Sequence, residues 1–248
     1  MSESMRMWTE VTFNVAYLVV VWGLVALMAR RRDQVAPGKW AVAQRVRWAF
    51  ALLALGDTGH VGFRVLAYAQ GDLAARFSLF GQELGLVGLG ALSTAVTVTF
   101  FYVLMLDAWR LHFDRKYGPF EYLLLAAAAS RLVIMIPPAN QWNNVVPPQP
   151  WSLYRNLPLV IQGLGLAYLV LRDARRAGDR AWTWIGVSIL VSYACYTPVI
   201  LFVQQAPLVG MLMIPKTLAY VAIGLIAYRN LYAAPARARR RETAASQT

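Results

Sequence analysis

Seven apolar runs, each close to the length that crosses a bilayer, dominate the chain and leave little of it for anything else. They lie at about 11–29, 48–68, 79–105, 119–137, 152–171, 182–203 and 209–228. A span needs about 20 apolar residues, so seven of them with short connections use up 248 residues, 58% of them hydrophobic. The expected fold is all-α, a polytopic seven-transmembrane-helix bundle. Residues 1–232 would form one membrane domain, followed by a basic, disordered tail at 233–248. The segment MSESMRMWTE carries acids, and no small-residue cleavage site follows the first run, which is therefore expected to be a span and not a removed leader.

The net charge of +12 is distributed by side. Of the 24 basic residues, 18 fall in alternate connections and the C-terminal tail, from Arg30 to Arg47, Arg110 to Lys116, Arg172 to Arg180 and Arg229 to Arg241. The opposite side holds only Arg6 and Arg76, and the connection PPANQWNNVVPPQPW has no charge. Positive residues mark the cytoplasmic face, which puts the N-terminus outside and the C-terminus inside the cell membrane. An odd span count requires the same arrangement. The basic tail reads as a topology anchor attracted to anionic lipid, with no nucleic-acid partner. The single cysteine, Cys195, lies in an apolar run, so disulfides and thiolate metal sites are excluded.

Charges inside the spans are the informative exceptions, because each costs roughly 2.5 to 3.5 kcal/mol at the centre of a bilayer helix. Lys216 lies roughly 10 Å below the outer boundary of span seven at 1.5 Å per residue. Pro215 before it is expected to kink the span or open a cavity. In span two, Asp57, His60 and Arg64 share one face at spacings of three and four, and Gly56, Gly59 and Gly62 thin the same helix. Span four carries Arg131; span five has Arg155 at its mouth and Gln162 further in; span six carries Tyr193 and Tyr196, and Tyr220 follows Lys216 by one turn. Measured from the outer ends, His60, Arg131, Tyr196 and Lys216 share one depth. Span one, with Asn14 and Tyr17, reads as packing and anchoring, and His112 as a solvated turn residue.

Three functions fit this layer beside a plain internal-glue role, in which Asp57 pairs with Arg131 or Lys216 while Arg64 and Arg155 snorkel outward. The first is a transporter-like or receptor-like site for an anionic or polar-headed amphipathic small molecule. Arg131 and Lys216 would hold its acid group, with Arg64, Arg155, Gln162, Tyr193, Tyr196 and Tyr220 around them. The second is a membrane enzyme acting on a lipid or phosphate ester, with Asp57 orienting His60 as base and Ser130 or Ser192 as nucleophile. Metal ligands do not converge, so no metal is expected, and the first two readings require no cofactor. Partners are the bilayer and the small ligand, and a homo-oligomer is compatible with either.

The third reading comes from resemblance. Seven spans, an external N-terminus and a lysine in span seven resemble the opsin plan, which implies retinal bound to Lys216 as a Schiff base. Leu212 stands where a microbial opsin would carry a carboxylate one turn before the lysine, which leaves Asp57 as the counter-ion. The segments GDTGHVGFR, YRNLPL and GMLMIPKTLAYV resemble those of uncharacterised bacterial seven-helix membrane proteins, which implies the fold and no activity. Matching Asn14–Arg30 with Asn156–Arg172, through Gly23 and Gly165, suggests a parallel 3+1+3 repeat.

Overall fold

A computed structural model describes residues 3–79 and 82–233; the tail expected at 233–248 lies outside them beyond Ala233. The apolar runs become α1 (Glu3–Arg30), α2 (Trp40–Ala69), α3 (Leu86–His112), α4 (Pro119–Ile134), α5 (Trp151–Ala177), α6 (Arg180–Phe202) and α7 (Met213–Tyr228). By length and composition, α1, α3, α5, α6 and α7 suffice to cross a membrane. The protein is thus a helical, multi-pass membrane protein with at least those five candidate spans. α2 carries Arg45, Arg47, Asp57, His60 and Arg64, and α4 has only 16 residues. Large apolar side chains turned outward, such as Val19, Ile136, Trp184 and Leu208, suit a lipid surround.

Local chemistry sets the helix limits. Gly178 takes a left-handed φ of 64° to end α5, and Asp179 then accepts the Trp182 N–H at 3.0 Å to start α6. Pro119 opens α4, where Glu121 accepts the Gly118 N–H at 2.9 Å, and Pro137 and Pro138 follow its end. Pro215 falls in the first turn of α7, directly after a 3-10 segment at Pro207–Leu212. A proline is tolerated there because first-turn N–H groups have no intrahelical acceptor; where a kink or a cavity is expected, the helix type changes ahead of Pro215, and its neighbours Ile214 and Lys216 line a void.

The start expected for span three is also corrected. Residues Arg76–Leu79 (β1) and Gln82–Gly85 (β2) pair antiparallel, Arg76 opposite Gly85, and α3 begins only at Leu86. Phe77 and Leu73 pack with Ala67, Leu86 and Val87, which seats the hairpin on the ends of α2 and α3. The connection from α4 to α5 docks on it: Asn143 accepts the Gly85 N–H and donates to the Glu83 carbonyl, both at 2.9 Å.

Consecutive helices pack on one another and α1 returns to α7, while α3 also meets α5. The closest seam joins α2 to α3. A Cβ on Gly90 would stand 2.9 Å from the His60 Cα, and one on Gly56 would overlap the Thr97 side chain. The deeper core joins Phe50, Phe101 and Tyr220 edge to face, with ring centroids 5.4 Å apart in each pair formed with Phe101.

At the end carrying most basic residues, three aspartates lock the helices. Asp107 accepts Arg45 at 2.6 Å and Tyr117 at 3.0 Å, and Arg110 pairs with it. Burial and the Asp107 carboxylate push the Tyr117 phenol above its ordinary range. Asp173 pairs with Arg115 and Arg172, and Asp179 with His112 at 2.9 Å. His112 is also stacked on Trp182 at 4.5 Å, so it is a packed residue and not a solvated one.

Gly90→Val places two methyl groups against backbone that cannot retreat. It is expected to cost about 1–3 kcal/mol, read as a lower thermal unfolding midpoint in detergent. Gly62 faces open space, so Gly62→Ala should stay within about 1 kcal/mol of the unaltered protein.

Candidate functional site

Between the helices, in the half nearer the hairpin, lies a cavity of about 470 Å³ whose wall receives residues from all seven. Its polar lining includes Asn14 and Tyr17 from α1, Asp57, His60 and Arg64 from α2, Thr94 from α3, and Arg131 from α4. Arg155 and Asn156 come from α5, Tyr196 from α6, and Lys216 and Tyr220 from α7. The rest is largely aliphatic, with Leu53, Val98, Leu159, Val199 and Ile214 among the wall residues. The residues read as one depth layer therefore meet around a shared void. Gln162 and Tyr193, expected with them, lie behind the wall. Tyr193 donates to the Leu159 carbonyl at 2.9 Å, and Gln162 is buried with its amide nitrogen 3.5 Å from the Thr99 carbonyl. Ser130 and Ser192 also lie outside the lining; Ser130 donates to its own helix at Ala127.

Arg131 and Arg155, which are buried, and Lys216, which is half-buried, have different surroundings. Arg131 is 2% exposed and braces three helices: Nε donates to the Arg155 carbonyl at 2.8 Å and Nη1 to the Ala95 carbonyl at 2.6 Å and the Thr99 hydroxyl. Two of its three nitrogens are thereby spent on protein acceptors. Arg155 is 8% exposed, stacks its guanidinium over Trp142 at 4.1 Å, and has no acceptor on Nη1 among the described residues. Burial replaces the snorkelling expected of it, because the α4–α5 connection folds over the mouth of α5. Lys216 holds its ammonium over Tyr196 at 4.5 Å and Tyr220 at 5.6 Å. Such contacts are worth up to about 2 kcal/mol when desolvated, and among the described residues no carboxylate lies within 4 Å of Nζ.

Asp57 pairs with none of the partners expected for it. It accepts the Tyr17 hydroxyl at 2.7 Å and the Thr94 hydroxyl, so it is not hydrogen-bonded to His60. Tyr17 thus belongs to the site, although span one reads as an anchor. Tyr196 donates to Asn156 at 2.9 Å, which fixes the ring beneath Lys216. Trp142, which carries Arg155, is held by its indole N–H on the Met135 carbonyl at 3.0 Å. Tyr17, Thr94, Trp142 and Asn156 escaped the sequence reading; their only advance signal is the polarity of Asn14, Tyr17 and Thr94 within apolar runs.

Chemically, the cavity offers hydrogen-bond donors, positive charge, one carboxylate and aliphatic surface in a single void. Among the described residues, no group of three His, Cys, Asp or Glu side chains converges on one point. No protein-family model, curated protein or solved structure matches the chain.

Arg131→Met removes three hydrogen bonds from a charged donor and leaves buried acceptors behind. A loss of at least about 2 kcal/mol of stability is expected, measured by thermal unfolding in detergent. Arg131→Lys should recover only part of it, because one ammonium cannot span acceptors on α3 and α5 in the fork geometry of a guanidinium.

Proposed function

We propose that the protein is a seven-span membrane protein, N-terminus outside and C-terminus cytoplasmic, that binds an amphipathic small molecule through an acidic head group. The carrying observation is the Arg155 Nη1 donor, buried at a cavity wall with no acceptor among the described residues, in the same void as the Lys216 ammonium, which has no carboxylate partner among them. Buried donors are almost always satisfied, and an acid oxygen is the acceptor that suits two cations. The aliphatic wall takes the remainder of the molecule. A cavity of this size fits a small amphipath or the head and upper chain of a lipid. Transport and sensing both begin with such a binding step, and the positive-inside topology makes the cavity outward-facing.

This reading moves the acid group from an Arg131–Lys216 clamp to Arg155 and Lys216, with Arg131 bracing the wall behind. Lys216→Met preserves the volume of the side chain and removes its charge. It is expected to weaken binding of dodecyl phosphate at least about tenfold while leaving the unfolding midpoint within a few degrees, measured by titration in dodecyl maltoside. Equal binding by both proteins would reject the proposal.

A second reading is favoured by one observation, the shared cavity of Lys216 and Asp57. Retinal as an imine on Lys216, with Asp57 as counter-ion, would give a visible absorbance band on addition of the aldehyde. No band should appear if Lys216 serves only as a cation.

A further inference from the structure

Asp57, on the same void as Lys216 and Arg155, has surroundings as unusual as theirs. Asp57 is a carboxylate in a predominantly apolar cavity, yet both hydrogen bonds to it come from neutral hydroxyls, Tyr17 on α1 and Thr94 on α3. Among the described residues, no basic group forms an ion pair with it. Lys216, on the same void, is held instead over two phenol rings. Asp57 and Lys216 thus line one cavity, and each is fastened to neutral partners.

That arrangement is expensive if it only stabilises the fold. Opposite buried charges gain most by direct contact, and separating them in a low-dielectric space gives up that gain. It is economical if a ligand completes it. An anion alone would satisfy Lys216 and Arg155 and place a second negative charge in the space that Asp57 faces. A cation alone would satisfy Asp57 and leave the Arg155 donor without an acceptor. A molecule carrying both charges satisfies the cations and the carboxylate together.

Resting on the reading of this cavity as a site for an acid-bearing head, we infer that the ligand is a zwitterionic amphipath. Its ammonium group lies against Asp57, its phosphate or carboxylate between Lys216 and Arg155, and its apolar chain along the aliphatic wall. Tyr17 and Thr94 hold the carboxylate oriented for the ammonium, as Tyr196 holds Lys216 oriented for the acid.

Three probes with one chain length test this: dodecylphosphocholine, dodecyl phosphate and dodecyltrimethylammonium. Each is titrated into the full-length protein in dodecyl maltoside, an uncharged detergent, so that no bilayer lipid competes. Dodecylphosphocholine is expected to bind at least about tenfold more tightly than either singly charged probe. Asp57→Asn keeps one of the two oxygens that accept from Tyr17 and Thr94, puts an amide NH2 in place of the other and removes the charge; it should erase that preference, weakening dodecylphosphocholine about tenfold and leaving dodecyl phosphate bound at least as well. If dodecyl phosphate matches dodecylphosphocholine in the unaltered protein, the zwitterion is wrong and the acid-binding site stands. If no probe binds in a manner that Lys216→Met weakens, the site itself is wrong. Should Asp57→Asn fail to fold, the ranking of the three probes on the unaltered protein decides alone.

Discussion

Arg131 is the residue through which the architecture and the site depend on each other. A guanidinium 2% exposed in an apolar bundle is tolerable only if its N–H groups find acceptors. It finds them on two other helices, at the Ala95 and Arg155 carbonyls and the Thr99 hydroxyl. One side chain therefore fixes α3, α4 and α5 relative to one another and forms part of the cavity wall. By taking the Arg155 carbonyl it also sets the local position of α5, from which the Arg155 side chain reaches Trp142 with a donor unused.

Space for the cavity comes from unequal packing. Between α2 and α3, glycines allow an approach so close that a single added carbon at Gly90 would strike the His60 backbone. The face bearing Asp57 and His60 turns to the void. At the hairpin end the α4–α5 connection supplies the cover, with Trp142 anchored at Met135 and Asn143 bonded to both Gly85 and Glu83. Gly88 is needed beneath it, because a Cβ there would overlap the Trp142 carbonyl oxygen. These contacts join uncharged groups, yet they determine which charges share a space.

The depth of a residue along a helix is legible in a sequence, and its direction around the helix only partly so. Counting from span ends brought His60, Arg131, Tyr196 and Lys216 to one level, and all four line the cavity. Rotation separates Tyr196, which faces the void, from Tyr193 three residues earlier, which points to the Leu159 carbonyl. Gln162 is lost from the site for the same reason. Tyr17 looked like an interface anchor because its partner, Asp57, lies 40 positions away and no local pattern connects them. The hairpin was hidden because GQELG continues the apolar, glycine-rich run of α3, whereas its pairing is with Arg76–Leu79. His112 was misplaced because a charged connection suggests solvent, whereas Trp182 and Asp179 approach it from another helix.

The two ends of the bundle use the same residue types in opposite ways, and the contrast bears on function. Near the basic end, Asp107 touches Arg45 and Arg110, and Asp173 touches Arg115 and Arg172. The fold evidently brings carboxylate and guanidinium together wherever cohesion between helices is what the pair contributes. Around the cavity, Asp57 is given to hydroxyls, Lys216 to phenol faces and Arg155 to an indole, although all three line one void. Internal glue would be built in the first manner. Groups held by neutral neighbours keep their charge available, and a cavity whose walls are arranged so is better suited to receiving a charged head group than to holding helices together.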